Sequence, residues 1–192
     1  MYDTPHWIQL LLVSAVILIG AITDLRTRKI PNWLTLGSVP VGLVLGFVFG
    51  GVGGLAVSFM AMLLALVIYF PLYALRAMGA GDAKLMAAVA TFIGPLMWLH
   101  LFFAASLIGG LVAILFTAAK GQFRNTLSKS VQILRHLAYF RAPFASDPSI
   151  DIRSPKSMSL PHGAVIAFGW LILFVAWEQF DFRLIDFRLI RF

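Results

Sequence analysis

Cysteine is absent from this 192-residue chain, and charge is scarce: Asp, Glu, Lys and Arg together make up 12% of it. Without thiols there is no disulfide scaffold, no cysteine zinc site and no thiol nucleophile. Ordinary soluble domains carry roughly 25% charged residues, so the chain falls outside that class. Several catalytic signatures are also missing. No G-x-S-x-G supports a serine elbow, and no G-x-x-x-x-G-K-[ST] supports a phosphate loop. His6, His100, His136 and His162 are scattered without metal-ligand spacing. No metal or cofactor is expected. What the chain has in excess is apolar surface: 60% hydrophobic residues and a mean hydropathy of +0.92. That places it among polytopic membrane proteins, with the lipid bilayer as its surroundings.

A spanning helix needs about 20 mostly apolar residues. The sequence predicts an all-α membrane bundle of about six transmembrane helices, over 7–23, 33–49, 55–75, 83–94, 96–118 and 161–177. Together they make one membrane-embedded domain across 1–192. The first segment is not a convincing signal peptide. No Lys or Arg precedes it, Asp3 does, and no A-x-A site follows. Gly50, Gly51, Gly53 and Gly54 predict an uncharged turn, and Gly94-Pro95 ends the short fourth segment. Gly46, Gly50 and Gly54 also form G-x-x-x-G spacings, which in a glycine-rich membrane helix point to close packing. Residues 119–160 form the one long basic loop. There Phe123, Leu127, Val131, Leu134 and Ala138 recur at helical spacing among Lys129, Arg135, His136 and Arg141. This reads as a helix on an anionic leaflet or as a plain basic connector. In the tail, 181–185 recurs as 186–190, and no function attaches to the repeat.

Charge then sets the expected topology. If the loop 24–32 is cytoplasmic, 12 of the 15 Lys and Arg lie on that side, leaving Arg183, Arg188 and Arg191 on the other. So uneven a split fits the positive-inside rule, and it accounts for the net charge of +7 without nucleic acid. Both termini are then outside. Asp24 and Asp82 both fall at cytoplasmic helix ends, at similar depth.

An acid near hydrocarbon is costly and normally faces a bundle interior or a water-filled cavity. Two carboxylates held close do not both ionise readily, so a pair is expected to share a proton. One can activate water while the other protonates a carbonyl oxygen or a leaving amine. That suffices for peptide hydrolysis without metal or nucleophile. Taken singly, each acid has a plainer reading. Asp82 can be the N-cap of a helix starting at Ala83, and Asp24 can be a juxtamembrane acid paired with Arg26 or Arg28. Gly79 and Gly81 can be turn glycines. Pro31 suits the first turn of a helix, where its missing N–H costs nothing.

The stretch Gly79-Ala80-Gly81-Asp82-Ala83-Lys84-Leu85 resembles the GxGD motif of the type IV prepilin peptidases, aspartic proteases within the membrane. Asp24, followed by Arg26, Arg28, Lys29, Ile30, Pro31 and Asn32, resembles that family's other aspartate motif. Leu160-Pro161-His162-Gly163-Ala164 is similar to its late Pro-aromatic-Gly segment, with His162 where an aromatic is usual. The resemblance covers about residues 8–177. It implies that Asp24 and Asp82 are the catalytic pair, with Gly79, Gly81, Lys84, Pro31, Asn32, Pro161 and Gly163 in support. Lys84, at i+2 from Asp82, cannot share its helix face, which leaves interface anchoring or field tuning. The implied substrate is a prepilin with a basic leader and an apolar helix, cut just after a glycine at the cytoplasmic face of a bacterial inner membrane. Long members of the family carry a cysteine-bearing domain and also methylate the new N-terminus. This chain has neither cysteine nor such an extension, so it is similar to the short members serving Flp-type, or tight-adherence, pili, and N-methylation is not implied. Two other classes compete: a proton-coupled transporter using the acids as a relay, and a non-catalytic scaffold of a pilus or secretion machine. No oligomeric state follows from the sequence.

Overall fold

The computed structural model describes residues 7–74, 78–119 and 162–179, all but the short connections of which are helical. Helix α1 spans Trp7–Thr27, α2 Asn32–Ala74, α3 Ala80–Ala119 and α4 His162–Gln179. The basic-loop helix, Pro161 and the repeated tail lie outside the described residues. Helix α1 runs one turn further than hydropathy predicts and ends at Arg28. That residue takes a left-handed conformation (φ 55°) and returns its N–H to the carbonyl of Asp24 at 2.9 Å.

Two helices are broken, each at a glycine in a conformation other residues rarely adopt: Gly51 (φ 58°, ψ −149°) and Gly94 (φ 73°, ψ 172°). Both breaks reverse the chain. The Trp98 indole N–H donates to the carbonyl of Met86 at 3.0 Å, although 12 residues of straight helix would part them by about 18 Å. Gly46 likewise lies against Ser58 and the carbonyl of Gly54. Each of these two helices is thus folded into two arms. The G-x-x-x-G spacing serves this internal contact.

The first arm of α3, residues 80–93, is the centre of the bundle. From Leu85 to Ile93 no residue is more than 5% exposed. A helix that is apolar all round has no face for water, and small side chains let neighbours close on every side. Ala83, Ala87, Ala88 and Ala90 supply that smallness. The other helices turn large apolar side chains outward, among them Leu11, Val44, Met60, Val67 and Leu107. In a bilayer those are lipid contacts. Three helices, Trp7–Thr27, Asn32–Ala74 and the run Ala80–Phe116, are long and apolar enough to cross a membrane, and His162–Val175 is a shorter apolar stretch.

Helix α2 packs most extensively on α3, and α4 fits against α3 and α1. Gly169 sets its Cα directly on the backbone of Ala105. Buried hydroxyls are satisfied within their own helices: Thr91 on Ala88, Ser38 on Leu34. Ser14 bonds Leu10 and receives the Trp170 indole N–H at 2.8 Å, joining α1 to α4. Tyr69, Trp98 and Phe102 form an aromatic cluster between α2 and α3, with Trp98 and Phe102 stacked at 5.8 Å.

The α2–α3 contact is closest at Gly42, where a Cβ would overlap the Thr91 side chain. Gly42→Ala is expected to destabilise the protein by about 1–3 kcal/mol through overpacking. Thermal unfolding in detergent checks this, and Thr91→Ala in the same chain should recover part of the loss.

Candidate active site

Three helix ends meet at the site. Asp24 stands one turn before the end of α1 and is only 8% exposed. A buried carboxylate needs hydrogen bonds, and the first turn of any helix has N–H groups to spare. Here the N–H of Gly163, second residue of α4, donates to Asp24 Oδ2 at 2.8 Å. The acid of one helix thus caps another, and a negative group faces the positive end of the α4 dipole. Only glycine fits there. A Cβ on residue 163 would lie 2.9 Å from Asp24 Cβ and 3.2 Å from the carbonyl oxygen of Gly20.

Asp82 is half-buried in the first turn of α3. The helix begins at Ala80, not Ala83, so Asp82 is not the N-cap considered from sequence. Gly79 holds that position. Its carbonyl accepts the N–H of Ala83 at 3.4 Å, and its own N–H donates back to the Asp82 carboxylate. The first contact is the opening backbone bond of the helix; the second is the N3-to-N-cap half of a capping box, with Asp in place of the usual Glu. It fixes the carboxylate at the N-terminal end of the buried central arm.

Asp24 and Asp82, 58 positions apart in sequence, interact electrostatically, and His162 interacts with Asp82 as well. Tyr69 is 3% exposed and feels the Asp82 charge. The site therefore gathers two acids and an imidazole from α1, α3 and α4, with a phenol from α2 behind them. Among the described residues, no three His, Cys, Asp or Glu side chains gather as metal ligands would.

The other residues singled out from sequence fall around this pair. Gly81 meets Ile30, whose Cβ would lie 3.2 Å from a Cβ at 81. Pro31 lies just ahead of α2 rather than in its first turn, and its carbonyl accepts the N–H groups of Leu34 and Thr35. Lys84 donates to Asn32 Oδ1 at 3.0 Å. Sequence reasoning passed over His162 and Tyr69. His162 had a usable signal, being the titratable residue next to Gly163 at the start of an expected span. Tyr69 had none, since an apolar run carries no mark of which aromatic faces an acid.

Comparison with known proteins bears on these residues. Residues 10–114, which include Asp24, Asp82 and Lys84, match the model of the type IV leader peptidase family. The match stops short of α4. A prepilin leader peptidase/N-methyltransferase of Neisseria gonorrhoeae is 32% identical over 124 residues, 60% of this chain and 43% of that protein. The prepilin peptidase EppA of Methanocaldococcus jannaschii is 32% identical over 75 residues, 39% of this chain and 20% of that protein. The chain thus spans less than half the length of these curated relatives. No solved structure gives a significant match. A family model that covers more than half of the chain, both acids included, establishes that this protein belongs to the type IV leader peptidase family.

Proposed function

We propose that this chain is an intramembrane aspartic endopeptidase that removes the leader peptides of type IV prepilins of the Flp-like kind. The observation that carries the reading is the meeting of Asp24 and Asp82, each held by a backbone N–H, Asp24 at the N-terminal end of α4 and Asp82 at that of α3. Structural acids on a lipid-facing bundle would rather point outward to headgroups and water. Asp24 is instead buried on the N–H of Gly163, and its charge is felt at Asp82.

The chemistry uses the pair with one proton between them. The ionised carboxylate takes a proton from water as its oxygen adds to the scissile carbonyl. The protonated one gives its proton to the carbonyl oxygen, leaving a tetrahedral diol. In the second step a diol hydroxyl returns its proton to the carboxylate that lost one. The other acid, protonated in the first step, releases its proton to the departing amine. Both carboxyls end with one proton shared, and the net change is addition of water across one peptide bond. Gly79 and Gly81 leave room beside Asp82 for an extended substrate backbone.

The six arms cross the membrane with both termini outside, in a bacterial inner membrane, and the site opens to the cytoplasm. The 12 Lys and Arg of the inner side support this orientation. A prepilin suits such a site, because its basic leader stays in the cytoplasm while its apolar helix lies in lipid. The cut falls between them, after a glycine.

The test is cleavage of candidate Flp-type prepilins by the full chain in liposomes, with product masses read. Asp24→Asn and Asp82→Asn should each lower kcat by about a hundred- to ten-thousandfold while the protein stays folded. Substantial cleavage by either variant would refute the two-carboxylate mechanism. Gly163→Ala keeps both acids but drives α4 off α1. It should lower kcat about tenfold or more, as expected when a reacting group is displaced by about 1 Å.

A further inference from the structure

The connection between α1 and α2 is braced on the first turns of α3 at two points. Ile30 rests on Gly81, whose missing side chain lets the Ile30 backbone nitrogen come within 3.7 Å of where a Cβ would be. One turn on, the Lys84 ammonium donates to Asn32 Oδ1 at 3.0 Å, a bond between residues 52 positions apart. The connection also starts from the site itself, because the N–H of Arg28 closes on the carbonyl of Asp24. The chain from Asp24 through 28–31 to Asn32, across to Lys84 and back to Asp82 is therefore a short closed circuit with a carboxylate at each end.

Lys84 is not a group for the reacting atoms. At i+2 its side chain leaves α3 on the far side from Asp82. It is half-buried, and its partner is a neutral amide oxygen, so the contact supplies direction and length without cancelling its charge.

We propose that Lys84 and Asn32 form a positioning pair, a strut that seats the α1–α2 connection on α3 and thereby sets the spacing of Asp24 and Asp82. The proposal rests on the peptidase reading for its effect on catalysis, and on geometry alone for its effect on distance. A displacement of about 1 Å at a reacting group can cost about a hundredfold in rate, so a strut acting through both acids should be felt mainly in kcat.

The absence of cysteine makes the distance directly measurable, because two introduced thiols are the only ones to label. Leu25→Cys on α1 and Ala80→Cys on α3 lie on exposed positions beside the two acids. Spin labels there, read by double electron–electron resonance on the full chain in liposomes, should give one narrow distance distribution. Lys84→Met and Asn32→Ala should each shift or broaden it, and the double variant should do no more than either. Lys84→Arg, which keeps a charged donor, should restore it. In the prepilin assay the two single variants should lower kcat about tenfold with KM within about twofold, and their losses should not add. A distribution unchanged in both variants, additive losses, or a rise in KM at constant kcat would overturn the strut. If Lys84→Met fails to fold, Asn32→Asp, which keeps an acceptor oxygen, and Asn32→Ala give the same contrast from the other side. Failure of the unmodified chain to cut any prepilin would count against the peptidase reading and leave the distance measurement to decide the strut.

Discussion

The hydrogen bond from the Gly163 N–H to Asp24 is the constraint around which this bundle is arranged. A carboxylate 8% exposed, in a protein whose outer surface is Leu, Val and Phe, must be held by the protein itself. The donor is a first-turn N–H, which no intrahelical acceptor claims. For that group to reach the acid, α4 must approach α1 to backbone contact, and glycine at 163 allows it. The same contact brings His162 to the site and sets α4 in the groove beside α3. One bond thus satisfies the helix end, the buried acid and the packing of two helices.

The second organising feature is the buried first arm of α3. Its Ala-rich, almost wholly apolar stretch from Leu85 to Ile93 is enclosed by the other helices. Asp82 sits at the N-terminal end of this arm, held by the Gly79 N–H, so its position is inherited from the most enclosed segment of the protein. Membrane bundles gain little from apolar contact between helices, because lipid is as apolar as leucine. Close backbone approach at Gly42, Gly163 and Gly169 and hydrogen bonds such as Trp170 to Ser14 therefore carry much of the specificity.

Much of this was legible in the residues. Apolar runs marked the helices, Gly51 and Gly94 fell within the breaks that glycine and proline predicted, and the GxGD stretch with its partner motif pointed to both acids. The readings that needed correction were local. Asp82 lies in the first turn rather than at the cap, because a helix start depends on which N–H groups find acceptors, and residue preference alone does not fix that. For Lys84 the i+2 spacing leaves interface anchoring or field tuning open and says nothing of a hydrogen-bond partner. Asn32, 52 positions away, could be known as its partner only once the chain had folded back.

The sequence by itself determined the class of protein, its apolar helices and the family motif, because hydropathy, breaker residues and a short motif are written within a few residues of one another. Tertiary structure alone decided what each acid touches. The cap on Asp24 comes from residue 163, the brace beside Asp82 from residue 32, and the imidazole from the first residue of the last described helix. These partners are brought together by helix packing over distances that no local pattern encodes.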